Sequence, residues 1–299
     1  MRTIHCCAAI AVFLLLLSTM TTIANGAFEI TLSAEKTDFR LGEPVVLLVS
    51  LTNKGQEPVN VSPELGPEAD NLQYLITNPD GKETPFSPLF VEDRADFITL
   101  GTNETARGTA RVFYGGNGYS FPKPGKYSVV ATFRGSKSQS LEIRVLPPAN
   151  DAEREQASLI LDHSEVGLFL MLEGGDELVD AKKQIDALTT KHPNSTLTHY
   201  VRYAVAKNLS VPARNFVTKK PRSADISAAV EILQGLKDKE FQYYYQDKAV
   251  RTLATSLDKL GRKDDARRTL QDFQKKLEKM EKLQPFYMKK IEDEMDRMK

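Results

Sequence analysis

The apolar residues of this chain change their spacing once, near Pro147-Pro148, and that change limits what each part can become. Before it, apolar side chains alternate with polar ones in short runs. These are Phe28-Glu-Ile-Thr-Leu-Ser, then Val45, Leu47, Val49 and Leu51, then Val59 and Val61, then Leu72-Gln-Tyr-Leu-Ile-Thr. Arg111-Val-Phe-Tyr, Tyr127-Ser-Val-Val-Ala-Thr-Phe and Leu141-Glu-Ile-Arg-Val-Leu bring the count to about seven. Successive side chains of a strand point to opposite faces, so a period of two predicts strands with one face buried and the other in water. Gly42-Glu-Pro, Asn53-Lys-Gly and Asn78-Pro-Asp-Gly punctuate the runs as turns. The expectation for residues 27–147 is an all-β, two-sheet sandwich. The proline pair, lacking amide hydrogens, ends the last strand. Residues 148–151 then read as a linker, with Asn150 or Asp151 placed to cap a first helix. From 152 to 299 the apolar spacing becomes three and four, which predicts an all-α part.

The first 26 residues stand apart from both. Arg2, the apolar run Cys6–Leu17 and the small residues Ala24-Asn25-Gly26 have the order of a cleaved secretory signal. The expectation is therefore a secreted or periplasmic protein. Both cysteines, Cys6 and Cys7, fall inside that segment, so the chain beyond it has no thiol. Disulfides, thiolate metal sites and cysteine nucleophiles are thereby excluded from the mature part. Lys+Arg and Asp+Glu are equal at 40 each, which argues against binding nucleic acid by phosphate neutralisation. Asn60, Asn103, Asn194 and Asn208 each open an Asn-x-Ser/Thr triplet, a glycan acceptor where the host glycosylates.

Residues 41–55, LGEPVVLLVSLTNKG, and 123–133, KPGKYSVVATF, resemble bacterial immunoglobulin-like domains, in which a Pro-Gly-x-Tyr turn leads into a late strand. The resemblance implies an immunoglobulin-like β-sandwich with Tyr127 returning its hydroxyl to nearby backbone. The pattern is also similar to small secreted proteinase-inhibitor domains of the sandwich type. In the second part, Val250, Leu253, Ala254 and Leu257, the stop at Gly261, and Ala266, Leu270 and Phe273 resemble a tetratricopeptide repeat. Leu168 and Leu172, Gly174-Gly175, then Ala181, Ile185, Leu188 and Pro193 resemble a further unit. Tyr200, Tyr203 and Ala204 open a middle unit that Ala229, Leu233 and Leu236 close, interrupted by a basic loop over 210–224. Met288, Ile291, Met295 and Met298 form the stripe of a terminal capping helix. Where the family carries a large aromatic in the first helix, this chain has Val250.

No segment announces catalysis. His192 and His199 are separated by Pro193, which breaks the one-face spacing a two-histidine metal site needs, so they read as a joint between helices. His192 is expected to meet the last carbonyls of its helix. Asp162, His163 and Ser164 are consecutive and diverge on a helix surface, unlike a catalytic triad. FYGGNGYSF lacks the lysine and following helix of a phosphate cradle; it reads as a loop that exposes Tyr114 and Tyr119 to a ligand or simply joins strands. Tyr243, Tyr244 and Tyr245 cannot all share one buried helix face, so they read as core packing with one tyrosine at the surface, or else as candidates for a concave peptide groove. The basic loop Arg214–Arg222 is another contact candidate. We expect no cofactor, no metal, no nucleic-acid partner and no stable membrane insertion after signal cleavage. The resulting expectation is a non-enzymatic exported adaptor binding a protein or peptide through its helices; the alternative is a proteinase inhibitor acting through the sandwich.

Overall fold

A computed structural model describes residues 27–69, 72–91 and 97–298; the expected signal segment lies outside them. The N-terminal part is β-structure and the C-terminal part is helical, with eight α-helices among the described residues.

The first strands are β1 (Phe28–Ala34), β2 (Asp38–Arg40), β3 (Val46–Asn53), β4 (Val59–Val61), β5 (Gln73–Thr77), β6 (Glu83–Pro85) and β7 (Ile98–Leu100). They are followed by β8 (Thr105–Arg111), β9 (Tyr114–Gly115), β10 (Gly118–Tyr119), β11 (Gly125–Phe133), β12 (Ser136–Lys137) and β13 (Leu141–Leu146). One antiparallel sheet has the order β1-β3-β8. A larger one runs β2-β13-β11-β5-β6, with β12 also on β11 and β2 parallel to β13. β4 pairs with β7, and β9 with β10.

Leu47, Val49 and Leu51 of β3 face the same way as Ala110, Gly108 and Ala106, their register partners on β8. Across the core stand Tyr127, Val129, Ala131 and Phe133 of β11, and the Phe28 ring meets Phe133 edge-on at 4.7 Å. Tyr127 Oη donates to the Lys123 carbonyl at 2.9 Å, the return to backbone expected from the sequence.

Two features differ from the sequence expectation. The strand expected at Arg111–Tyr114 ends at Arg111 and begins at Thr105. Its inward positions are Ala106, Gly108 and Ala110, too small to register as an apolar stripe, and a Cβ on Gly108 would crowd Leu65 at 3.1 Å. Secondly, β3 is not wet on one side. Val46 and Leu48, on the face opposite Leu47, are buried as well. Burying each such side chain fully contributes on the order of 1.5–3 kcal/mol, and what covers them is the helical part.

Those helices are α1 (Asp151–Leu161), α2 (Ser164–Leu172), α3 (Val179–Lys191) and α4 (Thr196–Leu209). A two-stranded hairpin, β14 (Ala213–Arg214) and β15 (Pro221–Arg222), replaces the expected irregular loop. Next come α5 (Ile226–Leu236), α6 (Tyr243–Lys259), α7 (Lys263–Leu277) and α8 (Gln284–Arg297). Asn150 caps α1, its side chain accepting from Glu153 N at 2.9 Å. α2 packs on α3, α4 on α5 and α6 on α7. The stripes expected from α3 to α7 are buried: Ala181, Ile185 and Leu188; Tyr200, Tyr203 and Ala204; Leu233 and Leu236; Leu253 and Leu257; Ala266, Leu270 and Phe273. In α2 the stripe is displaced. Leu172 is exposed and Leu168 half-buried, while Val166, Phe169, Leu170 and Met171 go inside, because Glu173 turns left-handed and ends the helix early. α8 packs on α7 and also reaches back to β8.

Candidate binding site

The face of α4 and α6 that carries the tyrosines meets the β-structure, and three carboxylates hold that seam. Glu35 follows β1 and reaches the N-terminus of α6. It accepts hydrogen bonds from Tyr243 N at 2.5 Å, Tyr244 N at 2.9 Å and Tyr287 Oη at 3.1 Å. Gln242, the residue at the cap position of α6, makes no side-chain cap of its own. A carboxylate from the other end of the chain therefore satisfies the free N–H groups and meets the positive end of the helix dipole. Burial pushes the Glu35 carboxyl up, and the two amides and Tyr287 oppose that.

Glu43 lies in the turn between β2 and β3, its side chain wholly buried. Lys36 Nζ binds it at 2.6 Å, Arg40 N at 3.0 Å and Tyr200 Oη at 2.5 Å. Gln242 Nε2 donates beside it to the Pro44 carbonyl at 2.6 Å. Burial first, then Glu43, raises the Tyr200 phenol far above its ordinary range, so it remains a donor.

Glu173 is the third. Its φ of 56° is costly for a residue with a Cβ. The position is held because its carboxylate binds Lys248, Arg111 at 3.4 Å and Tyr203 Oη at 3.0 Å, from α6, β8 and α4 in turn. Arg111 also donates to the Met171 carbonyl at 2.7 Å. Burial pushes the Glu173 carboxyl up, but Lys248 and Arg111 outweigh it and hold it below the usual range.

The geometry agrees with core packing of the tyrosines and corrects their candidacy as a peptide groove. Tyr244 and Tyr245 are buried at 6% and 1% exposure; the Tyr245 ring packs edge-on against Tyr200 and Tyr203 of α4, and the Tyr244 N–H is held by Glu35. Tyr243 is half-buried, its ring under Lys276 Nζ at 5.0 Å. Nor does the glycine-rich loop expose both of its tyrosines. Tyr114 is buried against Gly167 of α2, where any Cβ would lie 2.2 Å from the ring. The Tyr119 hydroxyl sits 2.7 and 3.0 Å from the carbonyls of Ile160 and His163. Of the singled-out residues, Arg214 stands fully at the surface.

The histidines face different neighbours. The His192 ring meets Glu155 of α1 at 3.1 Å, rather than the last carbonyls of its own helix, which its backbone N–H approaches instead. His199 is buried in the first turn of α4, 5.9 Å from the Phe241 ring, with neither ring nitrogen in a direct hydrogen bond. Desolvation lowers its pKa below 6.5, the Glu240 backbone opposing. His163 does not lie on a helix surface: it is the residue before α2, with Nδ1 2.7 Å from Asp180. Among the described residues no group of three or more histidines and carboxylates is placed to hold a metal ion, and no helix is long and apolar enough to cross a membrane.

On the far side of α6 from the seam lies a groove of about 490 Å³. α5 and α7 flank it. Leu233, Leu236, Ala249, Val250, Leu253 and Phe273 make an apolar floor. The rim is polar: Lys237 pairs with Asp272 at 3.1 Å, and Lys276 donates to the buried Gln246 at 2.7 Å. Small ligand and peptide sites have this character, a mostly apolar concavity with a few polar groups that fix orientation. Val250, where the resemblance calls for a large aromatic, lines the floor. That departure was the signal in the sequence, although the groove itself was not foreseen.

No family model and no curated protein matches the chain. Among solved structures, a β-glucosidase from Listeria innocua shares 16% identity at a TM-score of 0.27, over 40% of this chain and 16% of that one. The alkylpurine DNA glycosylase AlkC from Pseudomonas fluorescens shares 16% at 0.28, over 40% and 31%. The CARDB domain of a Pyrococcus furiosus protein shares 10% at 0.25, over 40% and 87%. The chain thus spans about a sixth of the β-glucosidase it matches.

Proposed function

We propose that this is an exported, non-enzymatic adaptor that binds an extended protein or peptide segment in the groove between α5 and α7. In this reading the β-part is an immunoglobulin-like sandwich and the helices are tetratricopeptide-like hairpins. The sandwich fills the inner face of the array, leaving the outer groove for a partner. The observation that carries the proposal is the groove's make-up: an apolar floor opened by Val250 and a rim of paired charges. Helix-in-groove and extended-peptide recognition both use such a surface.

The test is capture from the native exported fraction with residues 27–299 as bait. Val250→Phe fills the floor and should abolish specific capture while leaving the unfolding midpoint unchanged or higher. D272K/K276E reverses the rim and should weaken capture without touching the floor. Equal capture by the parent chain and both variants would remove the groove from the mechanism.

A further inference from the structure

The hairpin β14–β15 interrupts the helices between α4 and α5, and its tip carries two of the most exposed large apolar side chains among the described residues. Phe216 is 68% and Val217 76% exposed. The turn that carries them is closed by its own hydrogen bonds. Asn215 Oδ1 accepts from Val217 N at 3.0 Å and Thr218 N at 2.7 Å. Its carbonyl accepts from Lys219 N at 2.8 Å, and its N–H donates to the Lys220 carbonyl at 3.0 Å. Lys219 takes a φ of 59°, closing the turn. The base of the hairpin is tied equally firmly. Arg222 Nε donates to Asp176 at 2.7 Å, its Nη2 to the Asn208 carbonyl at 2.8 Å, and Asn215 Nδ2 to the Asp176 carbonyl at 3.0 Å. The base that presents Phe216 and Val217 to solvent is thus held by a half-buried arginine and an aspartate.

The charges around the tip have one sign. Arg214, Lys219 and Lys220 are exposed and pair with no carboxylate among the described residues. From Ser210 to Ala224 the chain contains no acidic residue. Two carboxylates at the base of the hairpin are engaged elsewhere: Asp176 with Arg222, and Asp225 as the cap of α5, accepting from Ala228 N at 3.0 Å. The turns at the ends of α2 and α6 lie at the same end of the array. Asp176 follows α2 and holds the hairpin, and Lys259 at the end of α6 reaches the Ser210 carbonyl at 3.5 Å. Each of these turns adds an exposed leucine, Leu172 and Leu260.

We propose that this end of the molecule docks on an anionic lipid surface, with Phe216 and Val217 entering the headgroup boundary and Arg214, Lys219 and Lys220 meeting the phosphates. Apolar side chains bordered by unpaired cations are what such a surface recognises. A protein partner fits less well. A stable protein interface buries roughly 1,600 Å² in total, far beyond what a hairpin tip of two apolar side chains offers, whereas a bilayer requires no complementary shape. The contact is peripheral and reversible, and it needs no membrane-spanning helix.

The chain contains no tryptophan, so Phe216→Trp creates a single fluorescent reporter at the tip. The protein tested is residues 27–299, so that the apolar run before Ala27 cannot carry the binding. Emission should shift to the blue with phosphatidylglycerol vesicles, shift little with phosphatidylcholine vesicles, and return on adding salt. Co-sedimentation of the chain with phosphatidylglycerol vesicles should fall at least about tenfold in F216S/V217S and in K219E/K220E. Both variants should keep the parent unfolding midpoint. Unchanged emission with phosphatidylglycerol would overturn the proposal, and so would co-sedimentation equal to that of the two variants. A blue shift with soluble polyglutamate equal to that with vesicles would likewise refute it, assigning the tip to an acidic polymer.

Discussion

α6 has two sides, and they are built in opposite ways. The side that faces the β-structure holds Tyr244, Tyr245 and Lys248 in a buried network closed by Glu35, Glu43 and Glu173. The side that faces α5 and α7 holds Gln246, Ala249 and Val250, all buried, along the floor of the apolar groove. Both sides are buried, and they differ in what lines them: charged and hydroxyl groups on the inner side, apolar side chains packed with α5 and α7 on the other. Buried charges demand partners with fixed geometry, and Glu35, Glu43 and Glu173 each have them, while the buried Tyr245 hydroxyl has no direct hydrogen-bond partner. An apolar floor makes no such demand and tolerates being left unfilled. Directional chemistry therefore links the two parts of this protein, whereas the groove between α5 and α7 is lined by non-directional apolar contacts.

The largest effect should come from breaking the inner side. Removing Glu173 leaves the half-buried Arg111 and Lys248 without their carboxylate, and losing the partner of such charged groups costs about 1–3 kcal/mol. Glu173→Ala should lower the unfolding free energy by that order in urea titration. The pH dependence has a definite sign. The folded-state pKa of Glu173 is depressed, so its contribution is present above the ordinary carboxylate value of 4.5 and is lost as pH falls through the folded value. Glu173→Gln should flatten that acid limb. A full-size effect of Glu173→Ala on groove binding without loss of stability would show that the two sides are not separate.

Glu35 sharpens the same contrast at smaller scale. Removing a helix cap costs about 0.5–2 kcal/mol, and Glu35→Ala should fall in that range. Its pKa is raised, so the sign is opposite to that of Glu173. Its favourable contribution is present below 4.5 and declines as pH rises through the folded value. Glu35→Gln should therefore lose this decline while keeping one acceptor oxygen for the amides.

How much of this was legible in the chain follows from the range of each contact. Strands β1, β3, β5, β11 and β13 show in local alternation, and α3 to α8 in their apolar stripes, because each is decided within a few residues. β8 was hidden by its small inward residues. The run Val45-Val-Leu-Leu-Val did carry a signal, since a continuous apolar stretch marks a strand buried on both faces. What covers it was not readable: Glu35 meets Tyr243 across 208 positions and Glu43 meets Tyr200 across 157. Pattern within one helix could show that three adjacent tyrosines do not share a face, but not that Tyr200 and Tyr203 of α4 and the distant Glu35 would meet them. The groove was half legible. Val250 stood out against the repeat it resembles, but the helix spacing that turns a smaller side chain into a cavity is a property of packing.

His199 tests the boundary between the two sides, since it lies under Phe241, which also lines the groove. Its folded-state pKa is depressed by burial below 6.5. The imidazole stays neutral in the fold while the unfolded chain takes up a proton. Its contribution is therefore complete above 6.5 and shrinks as pH falls from there through the folded value. His199→Leu should shrink the difference in unfolding free energy between about pH 7.5 and about pH 5.5 relative to the parent. An unchanged difference would mean that the loop over His199 opens to water and that the groove wall moves.

The smallest effect belongs to the hairpin, and its smallness is the point. Phe216 and Val217 touch nothing that stabilises the fold, so F216S/V217S should change the unfolding free energy by no more than about 0.5 kcal/mol. Arg222 has the contrary role. Arg222→Ala removes the donor that ties the hairpin to Asp176 and Asn208. It should cost about 1–3 kcal/mol and raise amide hydrogen exchange across residues 213–222. If the tip variant were as destabilising as the base variant, the apolar tip would be part of the core of the array. If only the base matters, the fold holds the tip outward at a cost, as expected of a segment whose apolar side chains are meant for something outside the molecule.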